Sequence, residues 1–322
     1  MLQKSFSALE YESKKKQTRR ERFLKELDRI VPWKELEEVI APYYPKGDGP
    51  GRPPTGLARM LRVHVVQNCF GFSDPETEDA IYDSQAIRGF VGVDLSCESA
   101  PDETTILNFR HLLEEHKLTK AIFEKINECL AAQGLFLREG TIVDATLIAA
   151  PSSTKNKDKA RDPEMHQSKK GNQWYFGMKA HIGVDMESGL VHTVVATAGN
   201  VSDVTQTHAL LHGDEKHVMG DAGYIGVEKR EENIDKTEVD WHIAAKRSEV
   251  EKVSNENVRG ALEKLEKAKA SIRSKVEHPF NVVKNMFKFR KVRYKGLAKN
   301  EAKLFTLFGL ANLVLARRQL PA

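Results

Sequence analysis

Cysteine is scarce in this sequence. Three cysteines, Cys69, Cys97 and Cys129, are spread over 322 residues, each far from the next. An odd number of widely separated cysteines provides neither the framework of a disulfide-rich secreted domain nor the close pairs of a cysteine zinc site. The simplest interpretation is a protein of a reducing compartment.

Long apolar runs are absent as well. The stretch MLQKSFSALEYESKKK at the N-terminus lacks the apolar centre of a signal peptide. The most apolar segment, LFTLFGLANLVLA from Leu304, is bounded by Lys303 and Arg317. It is shorter than the roughly 20 apolar residues of a membrane-spanning helix. We therefore expect a cytoplasmic protein that has no membrane partner.

A large excess of one charge is also missing. Lysine and arginine number 50 and aspartate and glutamate 46, so the formal net charge is +4. The basic residues are nevertheless clustered at residues 14–22, 155–170 and 284–303. One such run is usually a solvated face, whereas several of them favour a phosphate-rich partner such as a nucleic acid.

Changes in composition divide the chain into three predicted regions, residues 1–45, 46–135 and 136–322. The first is a basic arm with a short amphipathic helix, and the second is helical throughout. Within the second, short helices around a turn at 89–100 fit either a helix-turn-helix that binds DNA or a plain helical bundle.

The third region alternates strands and helices. TIVDATLIAA, WYFGMKAHIGVD and LVHTVVATA predict a meander of three strands, followed by helix, strand, helix, strand and helix. The penultimate long helix is expected from about Val258 to Phe289, and a last one is expected to end at Arg318. This order predicts an α/β domain with a mixed sheet flanked by helices.

Alternation along the second strand of the meander places Lys179 and His181 on its polar face, opposite an apolar face. Both fit a structural or solvent-facing role as well as a functional one. Trp174 and Tyr175 precede them. Packing in the core is the expectation for these two rings, with stacking on an unpaired base as the alternative.

Two aspartates stand where surface charge is a poor explanation. Asp144 interrupts the apolar run TIVDATLIAA, and a buried carboxylate needs a partner or a metal. Asp221 follows the strand HVMG, and ligands of open α/β sheets bind at such strand ends. Each alone also fits an edge residue or a turn cap. Together they predict two neighbouring strands whose aspartate carboxylates point at one place, where they could bind Mg²⁺, which prefers oxygen ligands.

Glu277 is a candidate third carboxylate. It shares a narrow arc of a predicted helix with Arg273 and Lys284. A helix-start charge beside Pro279 is the alternative explanation, because a carboxylate is favourable near a helix N-terminus. We expect Pro279 to bend the helix just after Glu277, since proline lacks an N–H and crowds the preceding turn.

The blocks around these residues resemble the insertion sequence five family of bacterial transposases, within the DDE class. TIVDATLIAAPSSTKNKDKARDPEMHQSKKGNQWYFGMKAHIGVD, GDAGYIG and SIRSKVEHPFNVVKNMFKFRKVRYKGLAKN are similar to the three blocks of that family. PDETTILNFRHLLEEHKL is similar to its helical N-terminal region. The family signature Tyr-x2-Arg-x3-Glu-x6-Lys is matched by Arg273, Glu277 and Lys284, whereas Ala270 stands at the tyrosine position.

The resemblance implies a ribonuclease-H-like DDE catalytic domain at 136–322, preceded by the helical DNA-binding region. Asp144, Asp221 and Glu277 would be the catalytic triad and would bind two Mg²⁺ ions, with Mn²⁺ as a substitute. The implied partners are double-stranded DNA, at both transposon ends and target, and a second copy in a homodimer. The candidates for DNA binding are the basic residues Arg273, Lys284, Lys288, Arg290 and Lys179.

The implied function is to bind the terminal inverted repeats of an insertion sequence, cleave there and join the 3′-hydroxyl ends to target DNA. The protein would then act on the bacterial nucleoid. A retired transposase that only binds DNA is the alternative. A phosphatase of the haloacid dehalogenase kind is disfavoured, because Thr146 stands where its second aspartate would be.

Overall fold

The computed structural model describes residues 11, 13–47, 53–136, 139–157, 159–234, 236, 238–317 and 319. The chain forms two compact units. One extends to Ile126 and takes in the chain from Arg317 onward, and the other is Asn127–Ala316. The three-part division at residues 45 and 135 stays a prediction.

The first unit is helical. Its helices are α1 (Arg19–Ile30), α2 (Trp33–Ile40), α3 (Leu57–Phe70), α4 (Asp74–Asp83), α5 (Gln85–Val91), α6 (Glu103–Glu115) and α7 (Leu118–Ala132), the last of which continues past Ile126. A capping box starts α4, where Ser73 Oγ accepts the N–H of Glu76 and the Glu76 carboxylate accepts the N–H of Ser73. Gly92, at φ 78°, ends α5 within the predicted turn. Recognition of DNA by these helices stays a prediction.

The second unit is built on a six-stranded sheet. Its strands are β1 (Gly140–Ala149), β2 (His166–Lys170), β3 (Gln173–Asp185), β4 (Val191–Ala198), β5 (His217–Gly220) and β6 (Asp240–Ile243). Strand β3 pairs antiparallel with β1, β2 and β4, whereas β5 is parallel to β1 and β6. A three-strand meander continued by two parallel strands confirms the predicted ribonuclease-H-like α/β fold.

Helices accompany this sheet. They are α8 (Thr207–Leu210), α9 (Arg247–Glu251), α10 (Glu256–Arg273), α11 (Glu277–Asn281) and α12 (Leu297–Ala316). Most of α12 is buried, and Asn312 Oδ1 accepts the N–H of Val191 at the start of β4. The predicted end of this helix at Arg318 lies outside the described residues. No helix among the residues described is both long enough and apolar enough to cross a membrane.

Three local predictions were wrong. Strand β2 was not expected, yet it forms a hairpin with β3, which Gly171 closes at φ 60°. The helix expected at the start of SDVTQTHALLHG is a 3-10 turn, Asp203–Gln206, followed by the single turn α8. Between β5 and β6, the described residues contain only 3-10 turns. That charged segment has too few apolar residues to give a helix a buried face.

The close approach of two strands explains one glycine. Gly177 of β3 pairs with Ala149 of β1 on one side and with His166 of β2 on the other. A Cβ atom at this position would lie 2.0 Å from the carbonyl oxygen of Ile148. Only glycine therefore fits here without displacing β1.

The long helix predicted from Val258 to Phe289 is interrupted. Helix α10 ends at Arg273, a 3-10 turn covers Ser274–Val276, and α11 begins at Glu277. A π-helical turn, Val282–Met286, follows. The geometry thus changes immediately before Glu277, not only after it as expected. Pro279 is tolerated because it occupies the first turn of α11, where its missing N–H is of least consequence.

Candidate active site

Asp144 is a partly buried carboxylate within the sheet. It lies within β1, opposite Ile182 of β3. Its Oδ1 accepts the N–H of Ala145 at 2.7 Å, and Arg273 Nη1 lies 3.9 Å from its Oδ2. Burial raises the pKa of Asp144 to about 6. The Ala145 N–H and Arg273 oppose this shift, while the negative charges of Asp221 and Glu277 add to it.

Asp221 comes level with Asp144 through the sheet register. Ile142 of β1 is paired with Met219 of the parallel strand β5, and each aspartate lies two residues further along its own strand direction. Asp221 Oδ1 accepts the N–H of Gly223 at 2.8 Å and so caps the following 3-10 turn. The turn-cap role that the sequence allowed is therefore present, and it leaves the other carboxylate oxygen available.

Glu277, the first residue of α11, is exposed and faces the same space. A cavity of about 410 Å³ brings the predicted residues together. Its charged lining consists of Asp144, Asp221, Glu277, Asp203, Arg273, Lys169, Lys170 and Lys179. Three carboxylates predicted from separate segments thus share one opening with several cations.

The donor set fits a hard divalent cation. The three carboxylates supply only oxygen ligands, which Mg²⁺ prefers. Asp221 and Glu277 both raise the pKa of Asp144, so a cation among the three would relieve repulsion that the fold leaves in place. Their oxygens do not all lie within 4.8 Å of one another.

The predicted basic residues divide into two groups. Lys284 Nζ donates to Thr146 Oγ1 at 2.6 Å and to the Leu147 carbonyl at 2.8 Å. Burial, followed by the nearby charges of Lys170 and Arg290, lowers the pKa of Lys284. Lys288 and Arg290 are exposed and do not line the cavity. Lys284 is therefore bound to β1, whereas Lys288 is open to a partner.

Lys179 and His181 are more enclosed than a polar strand face suggests. Lys179 Nζ donates to the Val201 carbonyl at 2.8 Å and to Asp203 Oδ1 at 2.9 Å. The ring of His181 is fully buried, with Nε2 2.7 Å from Thr197 Oγ1. Burial lowers the pKa of His181 to about 4, so the ring is neutral near pH 7. A solvent-facing role for His181 is ruled out.

Asp203 was missed in the sequence. It is the first residue of the 3-10 turn after β4, in the segment SDVTQTH, where the sequence predicted only a helix. In the structure it lines the cavity and holds Lys179 there. The available signal was an acidic residue shortly after a predicted strand of the sheet.

The β2–β3 hairpin carries an unexpected aromatic residue. Trp174 is 63% exposed, so the expected packing in the core was wrong. It is paired across the hairpin with Lys169, whose Nζ lies 6.0 Å from the ring centroid. Lys169 and Lys170 both reach the cavity. An exposed indole thus stands beside two lysines at the edge of the carboxylate site.

Comparison with known protein families gives a match for each of two parts of the chain. Residues 135–313 match the family described as "Transposase DDE domain", which is more than half of the chain. Residues 11–112 match the family described as "Transposase domain (DUF772)". A chain of the Mos1 strand transfer complex is 13% identical, with 77% of this chain and 82% of that chain covered, at a TM-score of 0.20. At that TM-score the likeness carries no weight for the fold.

Proposed function

The chain belongs to the transposase DDE domain family, a family of DNA-cleaving and strand-transfer enzymes, and we propose that it transposes an insertion sequence. It would bind the terminal inverted repeats, cleave DNA strands there and join the 3′-hydroxyl ends to target DNA. The observation that supports this most is the shared cavity. Asp144, Asp221 and Glu277 line it together, although they come from a central strand, a strand end and a helix.

Membership of this family implies the use of a divalent metal. We assign Asp144, Asp221 and Glu277 as the residues that would hold it, as two Mg²⁺ ions with Mn²⁺ as a substitute. When bound, such ions stabilise the charge on the attacking and leaving oxygens of a phosphoryl transfer. All three side chains offer carboxylate oxygens and no nitrogen, and such a donor set favours hard ions over zinc.

The protein's own cations would position the DNA. Arg273 beside Asp144, and Lys169 and Lys170 at the cavity edge, are placed to contact phosphates. They would hold the scissile phosphodiester so that water, and later a 3′-hydroxyl, attacks in line with the leaving oxygen. Lys288 and Arg290, both exposed, would extend this contact along the backbone, whereas Lys179 would act mainly by holding Asp203.

Further partners follow from the proposed reaction. The helical unit, with its basic residues at 14–22, would bind the transposon ends. Two ends must be brought together, so the active species would be a homodimer that bridges them. The proposed reaction takes place on the bacterial chromosome, so the protein would act at the nucleoid in the cytoplasm.

A nicking assay tests the proposal. The protein is incubated with labelled DNA that carries the element's inverted repeats, with Mg²⁺ or Mn²⁺, and the strands are resolved on a denaturing gel. Asp144→Asn, Asp221→Asn and Glu277→Gln should each abolish nicking while end binding is retained. Asp214→Asn, at a carboxylate whose side chain is 78% exposed and outside the cavity lining, is the matched control.

Two results would change the assignment. Normal nicking by any one of the three carboxylate variants removes that residue from the triad. A wild-type protein that binds the ends but never cuts them would instead be a retired transposase that acts only as a DNA-binding protein.

A further inference from the structure

Three potential metal ligands gather where β5 and β6 begin. His217 is the first residue of β5 and Asp240 the first of β6, and the parallel register pairs them directly. His242, two residues beyond Asp240, is paired with Met219. Because side chains alternate along a strand, His217, Asp240 and His242 all project from the same face of the sheet. Val218 and Trp241 face the opposite, apolar side.

The distances between these side chains match the edges of a tetrahedral zinc site. His242 Nε2 lies 3.3 Å from His217 Nδ1, and His217 Nδ1 lies 3.5 Å from Asp240 Oδ2. Bond lengths of about 2.0–2.2 Å to nitrogen and oxygen, in tetrahedral geometry, put neighbouring ligand atoms about 3.3–3.6 Å apart. The three ligand atoms all lie within 4.8 Å of one another. No side chain has to move far to bind an ion.

Hydrogen bonding and an ion pair explain the cluster less completely. A contact between two imidazoles uses one shared N–H, and the pairing of His217 with the largely exposed Asp240 is weak in water. A cation would satisfy all three groups at once. The exposed fraction of the Asp240 side chain, 74%, leaves a fourth position open to water. Two imidazoles and one carboxylate are a donor set suited to zinc rather than to magnesium.

This cluster is separate from the carboxylate cavity. His217 begins β5 and Asp221 follows its other end, so four residues of extended chain, about 13 Å, separate them. None of the three residues lines the cavity. We propose that His217, Asp240 and His242 bind one Zn²⁺ ion, which ties β5 to β6 at the end of the sheet remote from Asp221. The ion would stabilise the strand that carries Asp221.

Zinc binding by the full-length protein tests this proposal. Protein freed of metal with a chelator is titrated with Zn²⁺ against a chromophoric chelator, and with Co²⁺ to observe the visible absorption of a tetrahedral nitrogen–oxygen site. One Zn²⁺ per chain should bind tightly, with the Co²⁺ band appearing in the same stoichiometry. His217→Gln and His242→Gln should each weaken Zn²⁺ binding at least 10-fold and remove the band.

Two further variants make the result decisive. Asp240→Asn changes a largely exposed side chain, so it should fold normally and still weaken Zn²⁺ binding. His111→Gln, at an exposed histidine in the other unit, should bind as the wild type does. Zn²⁺ should raise the melting temperature of the wild type and of His111→Gln. It should not raise that of the variants at His217, Asp240 and His242. Absence of stoichiometric binding by the wild type, or unchanged binding by Asp240→Asn and the histidine variants, overturns the proposal.

Discussion

Arg273 Nη1 lies 3.9 Å from Asp144 Oδ2, so the last residue of α10 meets the centre of the sheet. Burial and the Arg273 guanidinium have opposite effects on the pKa of Asp144. Burial raises the pKa of Asp144, and the guanidinium lowers it again by favouring the carboxylate. The helix end therefore supplies a cation next to a carboxylate that burial makes costly to ionise.

Arg273→Gln is expected to slow strand cleavage by about 10-fold or more, on the order of 1.4 kcal/mol in activation free energy. The variant removes the charge beside Asp144 and one expected phosphate contact. Single-turnover nicking at saturating DNA measures the effect apart from binding. Arg247→Gln, at an arginine whose side chain is 93% exposed, is the control and should cleave normally. A rate equal to wild type for Arg273→Gln would contradict the assigned role.

Trp174→Ala is expected to weaken DNA binding by about 1–2 kcal/mol, or roughly 5- to 30-fold, because stacking of a base on an aromatic ring is lost. Trp174→Phe should retain most of the affinity. Fluorescence anisotropy with DNA that carries unpaired bases measures both. The melting temperature of the free protein should not change, since the indole is 63% exposed. Equal affinities for all three proteins would show that this ring does not touch DNA.

Lys284→Met is expected to destabilise the protein by about 1–3 kcal/mol, because Thr146 Oγ1 and the Leu147 carbonyl lose a charged donor. Lys288→Ala removes an exposed lysine and should leave stability within about 0.5 kcal/mol of wild type while weakening DNA binding. Urea denaturation and DNA titration of the pair separate the structural contribution from the phosphate contact. Equal stability of the two variants would be evidence against the bridging role of Lys284.

Stability is expected to fall as the pH drops from about 6.5 towards 4, in part because of His181. Its folded pKa is lowered to about 4, so the unfolded chain takes up a proton first. The contribution is on the order of 1–2 kcal/mol at pH 5. His181→Gln, which keeps a polar group towards Thr197, should reduce this acid dependence in urea denaturation between pH 7.5 and 5. An unchanged slope would mean that the folded ring takes up a proton as readily as the ring in the unfolded chain.

The sequence predicted the sheet well where the pattern is local. The apolar alternation of β3 and the short runs of β1, β4, β5 and β6 indicated strands in the correct order. The segment before Glu277 was harder, because helical spacing continues through residues 274–276 although the backbone tightens there. A periodic pattern cannot distinguish an α-helical turn from a 3-10 turn, since both place every third or fourth residue on one side.

Environment, in contrast, was decided by contacts that span the sequence. Trp174 was expected in the core, but it lies on the β2–β3 hairpin opposite Lys169, and its ring is exposed. His181 was placed on a polar face, but Thr197 and Asp203 enclose it. Asp203 lines the cavity together with Lys179 of β3, whose Nζ donates to its carboxylate.

By itself the sequence determined which carboxylates are poorly explained as surface charges, because Asp144 interrupts an apolar strand and Asp221 follows one. The tertiary structure alone decided that they come level, through the pairing of Ile142 with Met219, and that Arg273 and Glu277 join them. It also decided that His217 lies beside Asp240 and His242. Strand register between distant segments depends on the packing of the whole sheet, and no local pattern of residues specifies it.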